Sequence, residues 1–147
     1  MFLIFLMGIS GLKAQLSLTN GTPSASIDFT NNMQTSVGSN PSQPFAGGGF
    51  EPNPTTAGRL NSNAWAFTGW SDGTLNYGGT RTSGDYARGV TTVAVTTGGV
   101  YASRVAPATA ADPRMMFQPG GSDFAPGTVT LRLQNNGTTI ISQLALS

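Results

Sequence analysis

The sequence predicts an all-β fold, a β-sandwich or barrel of mainly antiparallel strands, on three observations. Apolar and polar residues alternate over short segments, most regularly in Thr128–Gln134, and a period of two turns one face of a strand toward a core. Turn-forming pairs such as Asp72-Gly73 and Asn136-Gly137 separate these segments, as is typical of sandwiches and barrels. After the first residues, no segment sustains the 3.6-residue period of an amphipathic helix.

The composition agrees with this fold class and excludes several functions. Charged residues make up 9% of the 147 residues, with 20 Gly and 9 Pro, which fits short strands joined by tight turns. Six arginines, spread along the chain, balance six acids once Lys13 is set aside. Because nucleic-acid binders carry a basic stripe, no nucleic-acid partner is predicted. The absence of Cys and His excludes thiolate and imidazole chemistry.

Residues 1–14 are predicted to be a signal peptide, and residues 15–147 a secreted or cell-surface domain. The apolar run Met1–Leu12 is too short to span a bilayer, and Ala14 supplies the small residue expected before a cleavage point. No membrane span is predicted in the mature chain. The run lacks a positive first region, so a shortened N-terminus is expected; a buried first helix is the alternative.

Nine segments are predicted as strands because each holds alternating or β-prone residues between turn signals. They are Gln15–Thr22, Ser24–Asn31, Asn63–Trp70, Thr74–Tyr77, Val90–Thr97, Val100–Arg104, Arg114–Gln118, Thr128–Gln134 and Thr138–Leu146. The first two alternate around the Asn20-Gly21 turn. The polar, Gly-rich stretch Asn32–Gly49 that follows is predicted to be a loop, and Phe45 and Phe50 beside its glycines are expected to anchor it to the core.

The third and fourth predicted strands form a hairpin, because the Asp72-Gly73 pair between them supplies the positive φ angles of a tight turn. Alternation along the third strand places Trp65 and Phe67 on one face and Trp70 on the other. Gly69, directly before Trp70, is a candidate bulge.

The remaining strands are predicted from the same turn signals and alternation. The fifth and sixth flank Gly98-Gly99, a second hairpin candidate. Along the eighth, Val129, Leu131 and Leu133 are predicted to face inward and the residues between them outward. The ninth is apolar and stops at Ser147, so further strands are expected beyond it, because natural sheets avoid an exposed edge.

Six residues of the predicted hairpin and the Gly-rich loop after it are candidate ligand-binding residues. Exposed aromatic rings present a flat face to sugars, and Arg donates hydrogen bonds to glycans or carboxylates. The six are Trp70, Tyr77, Arg81, Asp85, Tyr86 and Arg88. The alternative is that both tryptophans belong to the core and that the two arginines flanking Asp85 form only a surface ion pair.

Two further hypotheses concern the acids. Asp72, Asp85 and Asp123 are candidate calcium ligands, because calcium prefers oxygen donors from loops; loop packing without a metal is the alternative, since no D-x-D-x-D-G spacing occurs. Glu51 and Asp85 have no evident role in a turn and are the candidate catalytic acids of a hydrolase fragment. No two carboxylates share a strand at a spacing that would aim both into one cleft, so no enzyme is predicted.

Four motifs carry a resemblance to a known group of proteins: GGGFEPNPTTAGRLNSNAWAFTGWSDG, YGGTRTSGDYARG, TTGGVYA and QPGGSDFAPGTVTLRLQNN. Residues 45–147 resemble an N-terminal region of large secreted bacterial proteins with lamin-tail-like or extracellular nuclease-like modules and a type IX secretion sorting domain. The resemblance implies an antiparallel β-sandwich of jelly-roll-like type, incomplete at the C-terminus and followed by downstream domains of the same polypeptide. It assigns no catalytic residues.

The function predicted from the sequence is that of a non-catalytic extracellular module that binds glycan or another cell-surface ligand. A structural spacer or adhesin segment, associating strand to strand through an open sheet edge, is the alternative from another class. A hydrolase fragment is the third hypothesis. No cofactor is predicted other than the calcium described above.

Overall fold

Short strands form nearly all of the regular structure in the computed structural model, which describes residues 16–20, 27–30, 36–38 and 43–142. The strands are β1 (Leu16–Leu18), β2 (Phe50–Glu51), β3 (Leu60–Asn61), β4 (Trp65–Trp70), β5 (Gly73–Leu75), β6 (Val90–Thr91), β7 (Gly99–Ser103), β8 (Arg114–Gln118), β9 (Thr128–Leu131) and β10 (Leu133–Asn135). A 3-10 turn covers Gly84–Tyr86. Within those ranges, no helix has the length and apolar character needed to cross a membrane. The predicted signal peptide lies outside the described residues.

The strands form two three-stranded sheets, β5-β4-β9 and β6-β7-β8, and two pairs, β1-β10 and β2-β3. The predicted all-β, sandwich-like fold is confirmed. Strand β4 is antiparallel to both of its neighbours, and β7 is antiparallel to β8. The other three pairings are parallel, a feature that hairpin turn signals do not predict, because a tight hairpin joins antiparallel strands.

One core of aromatic and aliphatic side chains lies between these sheets. Phe67 of β4 is 1% exposed, and its ring centroid lies 5.9 Å from that of Phe117 on β8 and 4.8 Å from that of Phe50. Phe45 and Phe50 are fully buried, so the prediction that they anchor the Gly-rich stretch is confirmed. The buried cluster also contains Leu16, Val37, Leu60, Ala64, Trp65, Trp70, Leu75, Tyr86, Val100 and Ala102.

A bulge at Gly69 turns the side chain of the next residue, Trp70, to the other face of β4. Three residue steps separate Phe67 from Trp70 on β4, whereas two steps separate their partners Leu75 and Gly73 on β5. The register therefore shifts between the two pairs. Gly69 has a φ of 87°, as a bulge requires. The predicted bulge is confirmed, whereas the prediction that Trp70 lies on the face opposite Trp65 is wrong: both are 4% exposed and both join the core.

The hairpin predicted around Gly98-Gly99 does not form. Strand β6 stops at Thr91, whose Oγ1 donates to the Val93 carbonyl at 2.7 Å, a local turn that competes with strand pairing. Its two residues run parallel to β7. The antiparallel partner of β7 is β8, which has the bounds predicted from the sequence, Arg114–Gln118.

The eighth predicted strand is divided at Arg132 between two sheets. Its first part pairs with β4 and its second with β1. The Arg132 amide donates to the Ala64 carbonyl at 2.9 Å, and its carbonyl accepts from the Leu16 amide at 3.1 Å. Leu131 and Leu133 pack against the core as predicted. The inward prediction for Val129 is wrong, since it is 40% exposed on the edge strand β9.

Two predicted strands at the ends of the chain are not strands where the structure describes them. Residues 27–30 have no strand pairing, although Phe29 packs against Phe45 with ring centroids 5.8 Å apart. Residues 138–142 also lack a strand, and Ile140 is 87% exposed. Their conformation is fixed instead by Asn20, whose Oδ1 accepts from the Thr138 amide at 3.0 Å. Residues 143–147 lie outside the described ranges.

Candidate functional site

Most of the candidate residues converge where the β4–β5 turn meets the 3-10 turn. Asp85, in the second of these, is 3% exposed. Its Oδ2 accepts from Ser71 Oγ at 2.8 Å and from the Asp72 amide at 3.0 Å. Its Oδ1 accepts from Arg88 Nη2 at 2.7 Å. We refer to Ser71, Asp72, Asp85, Arg88 and Asp123 as the Asp85 cluster.

The Asp85 cluster links three separate loops through backbone amides. The Asp85 amide donates to Asp72 Oδ2 at 2.6 Å, which makes the bonds between these two residues reciprocal. The Ser71 amide donates to Asp123 Oδ1 at 2.9 Å, and the Gly120 amide donates to Asp123 Oδ2 at 2.9 Å. The β4–β5 turn is therefore held to the 3-10 turn by two carboxylates, those of Asp85 and Asp72, and to the loop after β8 by a third, that of Asp123.

Two glycines allow the loops to approach this closely. Gly84 has a φ of 60°, and a Cβ there would overlap Asp72 Oδ2. A Cβ at Gly98 would overlap Asp123 Oδ2 and lie 3.0 Å from the Gly120 amide nitrogen. At either position a side chain would require the facing carboxylate or the backbone to move, which gives a physical reason for part of the Gly-rich composition.

The Arg88–Asp85 pair is partly buried rather than a surface ion pair. The side chain of Arg88 is 31% exposed and that of Asp85 is 4% exposed. Arg88 Nε also donates to the Gly98 carbonyl at 2.7 Å. Burial acts to raise the pKa of Asp85, but the hydrogen bonds from Ser71, the Asp72 amide and Arg88, with the charge of Arg88, lower it below its usual range. The carboxylate is thus held in its ionised form.

The stacking role predicted for Trp70 and Tyr86 is wrong, because neither ring has a free face. Tyr86 is fully buried and contacts Phe50, Phe67 and Trp70 edge-on. Its hydroxyl donates to the Gly73 carbonyl, and burial raises its pKa to about 12. Trp70 packs against Phe124, with ring centroids 4.6 Å apart.

Arg81 and Tyr77 each contact a residue that the sequence did not indicate. Arg81 does not pair with Asp85: its Nη2 donates to the Thr74 carbonyl at 3.1 Å, and its guanidinium lies 5.8 Å from the Tyr86 ring centroid. Tyr77 is half-buried, and the Arg132 guanidinium lies 3.7 Å from its ring centroid. Arg132 was not among the candidate residues. The signal that could have identified it was its outward position in the alternating segment.

The predicted calcium ligands Asp72, Asp85 and Asp123 do come together, but not as a metal site. Both oxygens of Asp85, both of Asp123 and one of Asp72 accept hydrogen bonds from the protein. In the part of the chain that the structure describes, no group of three or more His, Cys, Asp or Glu residues is arranged to hold a metal ion. The donors around these carboxylates are N–H and O–H groups of the protein, which compete with a cation for the same oxygens.

The two acids considered for hydrolysis are each paired with a different arginine. Glu51 Oε2 accepts from Arg59 Nη1 at 2.7 Å, and Asp85 is bound by Arg88. Comparison of the chain with family models, with curated proteins and with solved structures finds no match.

Proposed function

We propose that this chain is a non-catalytic β-sandwich module that serves as a structural spacer in a larger extracellular protein. The observation that carries the proposal is the hydrogen bonding of Asp85. The Asp85 carboxylate, a candidate catalytic group, accepts hydrogen bonds from Ser71, Asp72 and Arg88 and so joins the loops that carry them. A spacer needs rigid connections between its loops, and charge-assisted hydrogen bonds to backbone amides supply them.

The same contacts argue against a role for Asp85 in catalysis. A general base or nucleophile must reach its substrate within hydrogen-bond distance. Asp85 is 3% exposed and both of its oxygens are already bonded, so a substrate would have to displace Ser71 and Arg88.

Burial also favours the spacer over glycan binding at the face predicted from the sequence. Stacking on a sugar requires an accessible aromatic face, and Trp70 and Tyr86 are 4% and 0% exposed. Their rings contribute to the core that holds the two larger sheets together. The edge strand β9, with Val129 exposed, is the surface through which strand-to-strand association would occur.

The extracellular part of the proposal rests on the sequence. The predicted signal peptide of residues 1–14 supports export. The resemblance to an N-terminal region of secreted bacterial proteins supports both export and downstream domains.

Force spectroscopy tests the spacer directly. The chain, placed between two marker domains, should unfold in one step, and Asp85→Asn should lower the unfolding force because the loops it joins separate more easily. Asp112→Asn is the matched control, because Asp112 is exposed and its carboxylate makes no hydrogen bond or ion pair among the described residues. Unfolding in several small steps, or an unchanged force in Asp85→Asn, would argue against a spacer.

A glycoside and ester substrate panel tests the competing hydrolase. We expect no turnover from the wild-type chain. Turnover that Glu51→Gln or Asp85→Asn abolishes, in variants whose circular dichroism is unchanged, would replace the spacer with an enzyme.

A further inference from the structure

The Tyr77–Arg132 pair is a second polar site, distinct from the Asp85 cluster. The guanidinium of Arg132 lies 3.7 Å from the centroid of the Tyr77 ring, within the range of a cation–π contact. Arg132 is exposed, and Tyr77 is half-buried. The ring therefore holds the cation at the surface of the protein.

The polar side-chain groups of this pair have no hydrogen-bond or ion-pair partner among the described residues. Among the described residues, the ion pairs are Arg59–Glu51 and Arg88–Asp85, so Arg132 has no carboxylate partner. In the same ranges, neither its guanidinium nor the Tyr77 hydroxyl makes a hydrogen bond to the protein. A guanidinium carries five N–H donors in a planar fork that matches the two oxygens of a carboxylate.

Backbone hydrogen bonds hold the two chain segments that carry this pair. Arg132 stands where the chain passes from one sheet to another, held by the Ala64 carbonyl and the Leu16 amide. Beside Tyr77, the Gly78 amide donates to the Ser62 carbonyl at 2.9 Å. The contact with the Tyr77 ring orients the guanidinium itself. A side chain that is already oriented loses less entropy when it binds a ligand, so the exposed fork of Arg132 is prepared to accept an anion.

We propose that the Tyr77–Arg132 pair binds a uronate-bearing polysaccharide, a role that goes beyond the structural function above. Arg132 would take the carboxylate of one sugar residue through two N–H groups, and the Tyr77 hydroxyl would exchange a hydrogen bond with a neighbouring sugar hydroxyl. A single cation beside an amphipathic ring suits a ligand with one anionic group per residue and many hydroxyls. Phosphate backbones and densely sulfated chains require several cations in a row, and the arginines of this chain are dispersed.

Titration with oligogalacturonate and with its methyl ester tests the proposal. The wild-type chain should bind the free acid saturably, with an affinity that falls as salt is added, and should bind the ester much more weakly. Arg132→Gln should weaken binding by about tenfold or more, since it removes a charge-assisted pair. Arg114→Gln is the matched control, because Arg114 is an exposed arginine on β8 without an ion pair in the described residues.

Two variants of Tyr77 separate recognition from folding. Tyr77→Phe keeps the ring under Arg132 and should lose only the contribution of the hydroxyl. Tyr77→Ala should lose binding, and its thermal unfolding shows whether the fold is kept. Equal binding of the ester, unchanged binding by Arg132→Gln, or no binding of the free acid would each overturn the proposal. Tighter binding of poly-glutamate than of oligogalacturonate would overturn it in favour of an acidic peptide.

Discussion

At the scale of single residues, the role of a polar side chain in this protein depends on which loops reach it. Asp85 is a candidate catalytic acid in the sequence because it has no evident turn role there. Its contacts come from Ser71 and Asp72 in one loop and from Arg88 in another. The residue types could be read from the sequence, but their convergence depends on packing between distant segments.

The two tryptophans provide a residue-scale prediction, because both are 4% exposed but only one uses its indole N–H. Trp65 Nε1 donates to the Val37 carbonyl at 3.0 Å. Trp70 Nε1 is buried without a partner among the described residues. We expect Trp65→Phe to lower the free energy of unfolding by about 1 kcal/mol more than Trp70→Phe, the value of one hydrogen bond. Urea unfolding of both variants measures the difference, and equal losses would contradict these assignments.

At the scale of elements, the sequence predicts local features well and long-range pairing poorly. The bulge at Gly69, the β4–β5 hairpin and the bounds of β8 all follow from neighbouring residues. The parallel pairing of β1 with β10 joins the two ends of the described chain. No turn signal encodes it, because the intervening segments must first fold.

The bulge itself can be tested with a matched pair of glycine variants. Gly69 and Gly89 have similar positive φ values, 87° and 78°. A Cβ at Gly69 would lie 2.5 Å from Gly127 Cα, whereas a Cβ at Gly89 would meet no atom within 4 Å. Gly69→Ala should therefore lower the free energy of unfolding more than Gly89→Ala does, by about 1–3 kcal/mol, the usual cost of overpacking.

Thermal or urea unfolding of the two alanine variants measures that difference. Both variants carry the cost of an L side chain at positive φ, so the difference isolates the contact with the backbone of Pro126 and Gly127. Equal destabilisation would show that this segment, directly before β9, does not approach Gly69 as closely as described.

At the scale of the whole molecule, one aromatic core and one polar cluster stabilise the fold by different means. Tyr86 and Asp85 are adjacent in the chain, and one belongs to each. The all-β class could be predicted from alternation, and the core position of Phe45 and Phe50 from their places beside the Gly-rich run. The candidate binding face could not, because the burial of Trp70 depends on a bulge that the alternation rule ignores.

The pH dependence of stability reports on these two residues. Asp85 has a lowered pKa in the folded protein, so its stabilisation is present above the unfolded value of about 4 and is lost as pH falls through the folded value. Tyr86 has a pKa raised to about 12, so its stabilisation is present below about pH 10 and is lost as pH rises toward 12.

We therefore expect the free energy of unfolding to fall at both extremes of pH. Asp85→Asn should weaken the acid dependence and Tyr86→Phe the alkaline dependence. Urea unfolding at a series of pH values provides the measurement. If Asp85→Asn leaves the loss of stability at low pH unchanged, that loss is due to another carboxylate.

Hydrogen exchange at the amides of Ser71, Asp72 and Asp85 tests the central claim, that carboxylates of the Asp85 cluster join the loops. Each of these amides donates to a side-chain carboxylate. We expect slow exchange at all three in the wild-type chain. In Asp85→Ala, protection at Asp72 should be lost far more than protection at Ala102 in β7, whose amide donates to the Gly89 carbonyl. Fast exchange at Asp72 in the wild type, or an equal change at both amides in the variant, would contradict the account.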